Sequence, residues 1–240
     1  MKRHWYKYAS PSNFCMMANR VVPWLGITSA ILFATGLYVG FAVAPTDFRQ
    51  GDVYRILFIH VPAAWLGMFL YVLMAAYAGV GWAFNLRVSS MMASSLSVTG
   101  AVFTALSLVT GAFWGKPAWG TWWVWDARTT STLILLFLYL GFISLQSAID
   151  NPDRADRAGA LLALIGVVNV PVIYFSVQWW NTLHQGATIR ILRNTTIAPS
   201  MLAPMLILLA ACWLYAAAVV LKRTCCLIIE REQSAAAKAA

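Results

Sequence analysis

The chain is predicted to be an all-α membrane protein: a six-transmembrane helix bundle with a short tryptophan-rich segment at one surface. Three observations carry that prediction. Of 240 residues, 61% are hydrophobic and 10% are charged, where a soluble domain carries roughly 25% charged residues. So few polar groups cannot cover a water-facing surface, and lipid must solvate most of the chain. Six apolar runs reach the ~20 residues that a helix needs to cross ~30 Å of hydrocarbon. Eight of the twelve tryptophans then fall on the side that the parity of those runs makes the outer one.

The runs are about 22–44, 61–84, 95–114, 130–149, 158–177 and 201–221, read as one membrane domain over residues 1–240. The first ends in Ala42-Val43-Ala44, which has the small-x-small form of a signal-peptidase site. Its apolar stretch of about 20 residues exceeds the ~7–15 of a cleavable signal, so it is expected to remain as an anchor. Pro62 is a natural first residue for the second run, having no N–H to leave unpaired, which places His60 just ahead of that helix. The third is expected to stop at Trp114, because Gly115, Pro117 and Gly120 punctuate the residues after it. The last three are uninterrupted helical runs. Their length and continuity argue against an outer-membrane barrel, whose strands read as weak ten-residue alternations.

Lys and Arg set the orientation. With the N-terminus inside, the inner segments hold Lys2, Arg3, Lys7, Arg20, Arg87, Arg154, Arg157, Lys222, Arg223, Arg231 and Lys238. The outer side holds Arg49, Arg55, Lys116, Arg128, Arg190 and Arg193. The bias predicts both termini inside. The net charge of +9 therefore reads as topology, with attraction to the headgroups of the lipid bilayer as a secondary effect. Nucleic acid is excluded as a partner, since no segment can form a soluble basic face. Cys15, Cys225 and Cys226 lie in inner segments and Cys212 within a span, so none is placed for an oxidised bridge outside. No C-x-x-C-H motif for covalent haem attachment occurs.

The outer loops are about 45–60, 115–129 and 178–200. In or beside them lie Trp65, Trp114, Trp119, Trp122, Trp123, Trp125, Trp179 and Trp180. An interfacial belt would decorate both surfaces, and this distribution is one-sided. The segment 114–129 contains WGTWWVWDARTT. If a short helix follows Gly120, then Trp119, Trp122, Trp123 and Asp126 share one face by their i, i+3, i+4, i+7 spacing, and Trp125 points away. The result is a flat apolar wall ending in a carboxylate.

Of three histidines, His4 belongs to the polar tail, while His60 and His184 both fall on the outer side among tryptophans. Neutral imidazole is the commonest metal ligand among side chains. Two histidines cannot complete a structural zinc site, although Asp126 could serve as a third ligand in an open one. Two nitrogens do suffice for haem iron, whose other four positions are filled by a flat apolar macrocycle. Arg55, Lys116 and Arg128 are candidate partners for its propionates.

WGTWWVWDARTTS resembles the tryptophan-rich WWD signature of haem-handling membrane proteins in cytochrome c biogenesis. Together with AVAPTDFRQGDVYRILFIHVPAAW, TGAFWGKPAWGTWWVWDARTTS and LIGVVNVPVIYFSVQWWNTLHQG, the pattern is similar to the CcmC family across nearly the whole chain. The resemblance implies a non-enzymatic role at the bacterial inner membrane: presenting haem b at the periplasmic face and passing it to the haem chaperone CcmE. It also implies association with CcmD and with the ATP-binding cassette subunits CcmA and CcmB. His60 and His184 would be the axial ligands of the iron. Residues 119–126 would face the haem and the chaperone, with Trp114, Trp179 and Trp180 as neighbours, and Asp126 would fix the segment by bonding Arg128 or a backbone N–H. The alternative is a haem–cytochrome c synthase of the CcsA or CcmF type. Such relatives carry a comparable motif but more spans. No P-loop is present, so ATP-driven work belongs to another chain.

Overall fold

The computed structural model describes residues 10–184 and 197–239; His4, Gly186, Arg190 and Arg193 lie outside them. The described residues form helices, with six of them long and apolar enough to span a membrane. The order is α1 (Pro11–Tyr38), α2 (Leu57–Phe84), α3 (Arg87–Trp119), α4 (Ala127–Ala148), α5 (Pro152–Gly166), α6 (Asn169–Trp179) and α7 (Pro199–Ala239). Together α5 and α6 make the fifth span.

Inside lipid every backbone polar group must be satisfied within the chain, which is why helices carry the crossing. The centre is formed by α2 against α3, flanked by α4, α5 and α7, while α1 packs on α7. Tyr71, Phe58, Leu66 and Met74 of α2 are fully buried with Tyr139, Leu135 and Phe142 of α4. The Tyr139 hydroxyl donates to the Gly67 carbonyl at 2.8 Å. Buried Ser95, Thr99 and Thr104 of α3 each donate to the carbonyl four residues earlier. That back-bonding lets small polar residues sit at a tight helix contact without an orphaned hydroxyl.

Four boundaries differ from the sequence reading, each for a local reason. The second helix does not begin at Pro62. A 3-10 turn over Asp52–Ile56 runs directly into α2 at Leu57, so His60 lies in the first turn of the helix. The chain is already coiled there because Arg55 bonds the Asp52 carboxylate at 2.9 Å and the Tyr54 hydroxyl donates to Pro45 O at 2.6 Å. The third helix does not stop at Trp114 either; it continues through Pro117 to Trp119. It ends at Gly120, whose φ of 81° only glycine adopts freely and whose N–H closes on Lys116 O. Beyond it, residues 121–126 are not helical, so the tryptophans do not share a helical face. The Thr121 hydroxyl bonds Trp123 O, and Asp126 takes an extended backbone to cap the next helix. Finally, the fifth span is broken at residues 167–168. There the Asn169 amide leaves its own helix to donate to Ser131 O of α4 at 2.8 Å, and Pro171 has no N–H to give.

Candidate functional site

The site lies where α2, α3 and α4 meet the loops at one end of the bundle, and it consists of two histidine seats. The first is built by helices. His60 Nδ1 lies 3.1 Å from the Thr110 hydroxyl of α3. That hydroxyl spends its own proton on the Leu106 carbonyl at 2.7 Å, so the ring must donate to it. The Ser107 carbonyl, 3.3 Å from the same hydroxyl, is a second acceptor beside the ring. Nδ1 therefore carries the proton and Nε2 keeps its lone pair. Close approach of the imidazole to α3 requires Gly111, where a Cβ would stand 3.0 Å from His60 Cε1. Trp114 meets the ring edge-on at 5.8 Å between centroids, and its Nε1–H donates to Gln50 at 2.7 Å. The loop that carries Gln50, ahead of α2, is thereby pinned to the same seat.

The second seat is built by loops. His184 Nδ1 lies 2.8 Å from Asp126 Oδ2, and its backbone N–H donates to the Thr182 hydroxyl. Asp126 Oδ1 accepts the Thr129 N–H at 2.8 Å, capping α4. Burial alone would raise the Asp126 pKa, but hydrogen bonds from Thr129, Thr182 and His184 hold it below the usual carboxylate range. Burial pushes the His184 pKa down, outweighing the opposing pull of Asp126. His184 is thus neutral at physiological pH and donates from Nδ1, which again leaves the lone pair on Nε2.

The two seats adjoin. Trp119 packs against the His184 ring at 4.7 Å, and Trp114 packs against His60. These tryptophans are five residues apart on α3, about 7.5 Å along its axis. The Arg128 guanidinium lies within electrostatic reach of both rings.

Around them the predicted residues divide. Trp122 leans on Phe113. Trp123 touches Trp125 and buries an Nε1–H that has no partner among the described residues. Trp125 is 75% exposed and points outward. Trp179 and Trp180 continue an aromatic run from Phe175 at the end of α6. Asp126 bonds the backbone N–H of Thr129, as one of the two expectations had it, and does not bond Arg128. Arg128 instead donates to the Ser176 hydroxyl at 3.2 Å and the Tyr174 carbonyl at 3.4 Å, both on α6. Arg55 is engaged by Asp52 and by the Gly40 carbonyl.

Sequence reasoning missed Thr110, Gln50, Thr182 and Ser176. Each is a small polar residue whose role appears only when a second element is laid against it. Among the described residues no group of three or more His, Cys, Asp or Glu could hold a metal ion. Asp126 spends one oxygen on His184 and the other on the Thr129 N–H, so its carboxylate is committed to orienting the ring and capping the helix.

A bundle of six membrane-spanning helices with two imidazoles and a tryptophan frame at one end defines a multi-pass membrane protein with a polar site at that end. The chain belongs to the Heme exporter protein C (CcmC) family, whose model matches residues 4–239. It is 44% identical over 200 residues to Heme exporter protein C of Escherichia coli (strain K12), covering 83% of this chain and 80% of that protein. It is 46% identical over 205 residues to Heme exporter protein C of Bradyrhizobium diazoefficiens, covering 85% and 77%. A cytochrome c biosynthesis ccmC-like mitochondrial protein of Marchantia polymorpha is 43% identical over 180 residues, covering 75% and 76%.

Proposed function

We propose that this chain binds haem b at the periplasmic face of a bacterial inner membrane, with the iron between Nε2 of His60 and Nε2 of His184. It then hands the haem to a periplasmic haem chaperone, CcmE, during cytochrome c maturation. The observation that carries the reading is the state of the two imidazoles at one end of the bundle: both have Nδ1–H spent on an acceptor, and neither Nε2 has a hydrogen-bond partner among the described residues. Metal-ligating histidines are oriented in this way. The unpartnered Trp123 N–H and the apolar faces of Trp114 and Trp119 suit a flat ligand with a few acceptor groups.

Haem is here a cargo, and what the chain contributes is orientation. Thr110 and Asp126 hold the two rings; Trp114 and Trp119 limit their rotation; the extended segment 121–126 leaves Trp122 and Trp125 exposed for a chaperone to meet. Of the candidate propionate partners, Arg128 is the best placed. Its hydrogen bonds go to neutral oxygens, whereas Arg55 already serves a carboxylate and Lys116 bonds the exposed Gly120 carbonyl. CcmD and the transporter subunits CcmA and CcmB are expected to associate, since this chain carries no nucleotide-binding loop.

The test is the visible spectrum of the protein purified in detergent. The reading expects bound haem with two imidazole ligands. An unchanged spectrum in His60→Ala/His184→Ala would overturn it.

A further inference from the structure

We infer that Thr110 and Asp126 are positioning residues that make the two imidazoles unequal ligands, so that His184 keeps the iron and His60 is the ligand that lets go at transfer. This rests on the proposed haem site and goes beyond it, to which bond breaks first.

Both partners fix the same tautomer, but they differ in charge. His184 donates to a carboxylate whose side chain is only 5% exposed. A buried anion at Nδ1–H draws the proton toward itself and gives the ring imidazolate character, which raises the donor strength of Nε2. His60 donates to a threonine hydroxyl, a neutral acceptor already polarised the other way by its own bond to Leu106 O. Its ring gains far less.

Mechanics point the same way. His60 stands in the first turn of α2, and α2 packs along α3 for the length of the span. With Gly111 against one edge and Trp114 against another, the ring cannot follow an iron that moves outward. His184 follows α6, an eleven-residue helix separated from α5 by a break and packed chiefly on α4. The stronger donor is the ring bonded to the helix-capping carboxylate, and the weaker donor is the ring bonded to a neutral hydroxyl. The bond to His60 is therefore the one that gives way first, and the position it vacates opens to a ligand from the acceptor.

The experiment uses the full-length haem-loaded protein in detergent, reduced with dithionite and exposed to carbon monoxide. The gas replaces one axial ligand of the ferrous iron. Its infrared C–O stretch then reports the donor strength of the ligand that stays. The wild-type stretch should coincide with that of His60→Ala and differ from that of His184→Ala. Thr110→Val should leave the stretch in place and raise the apparent affinity for carbon monoxide about fivefold, the worth of one neutral hydrogen bond; Thr110→Ser should restore it. Asp126→Asn keeps an N-cap of equal quality and should move the stretch to higher wavenumber, and Asp126→Glu should return it toward wild type. A wild-type stretch matching His184→Ala, or one that shifts with Thr110→Val and not with Asp126→Asn, overturns the inference. A wild-type protein lacking a two-imidazole spectrum before the gas is added instead overturns the haem reading beneath it.

Discussion

The two ends of this bundle are built on opposite principles. At the end where the first and last described residues lie, most polar groups have partners, the buried Ser94 hydroxyl of α3 excepted. Arg231 of α7 grips Asp156 of α5 with two bonds of 2.8 and 2.9 Å, Asn151 caps α5 through the Arg154 N–H, and Phe14, Met91, Cys225 and Ile228 seal the space between. At the other end, which carries His60 and His184, satisfaction is partial. Among the described residues neither His60 Nε2 nor His184 Nε2 has a hydrogen-bond partner, the buried Trp123 N–H has none, and the half-buried Arg128 guanidinium rests on neutral oxygens. A native fold leaves few such groups, and those it leaves mark work still to be done.

The double substitution His60→Ala/His184→Ala should break this contrast most severely. Haem absorbance should be abolished in the purified protein, while membrane yield and helical circular dichroism stay near wild type. Loss of the protein from the membrane would mean that the histidine-bearing end is structural after all. The reciprocal change is Arg231→Ala. It leaves the Asp156 carboxylate largely buried and unpaired, and should cost about 2–3 kcal/mol. The melting temperature should fall while haem bound per folded molecule is unchanged. A fall in haem occupancy with no fall in melting temperature would reverse the roles of the two ends.

A matched pair of N-caps sharpens the comparison at smaller cost. Asn151 and Asp126 each accept one N–H of a first helical turn, at 3.0 and 2.8 Å. Replacing either with alanine should lower stability by about 1 kcal/mol. Only Asp126→Ala also frees the His184 ring, so only it should shift the haem spectrum. If Asn151→Ala shifts the spectrum equally, the effect travels through general loosening and not through the Asp126–His184 bond.

How much of the molecule was legible in its sequence depended on whether a residue's role is local. The six crossings were, because apolar length and charge deficit are properties of a continuous stretch. His60, His184 and the tryptophan segment stood out as candidates through their clustering, and the structure brings Trp114 against His60 and Trp119 against His184. What escaped was set by contacts between stretches distant in sequence. Pro117 reads as a helix stop, yet the αL turn at Gly120 lets α3 run on to Trp119. The break at residues 167–168 lies in an apolar run and is explained only by Asn169 reaching across to Ser131. Thr110 looks like one more small residue of a membrane helix until α2 brings an imidazole within 3.1 Å of it. The helical face imagined for Trp119, Trp122, Trp123 and Asp126 failed because Asp126 must be extended to serve as a cap, and a cap cannot also lie inside a preceding helix.

The smallest expected effect tests the idea of an unfinished end most directly. Trp123→Phe removes the buried N–H and keeps most of the aromatic bulk against Trp125. A buried donor without a partner penalises the folded state, so its removal should leave the haem-free protein unchanged or raise its stability by a few tenths of a kcal/mol, despite the smaller ring. With haem bound the sign should invert. If the cargo supplies the missing acceptor, the substitution removes a real hydrogen bond and should weaken haem retention severalfold against a competing apo-haemoprotein. Trp114→Phe offers the control, because its N–H already has Gln50 as acceptor and its loss should destabilise both forms alike. A Trp123 variant that behaves like the Trp114 variant would show that its N–H is not waiting for the ligand.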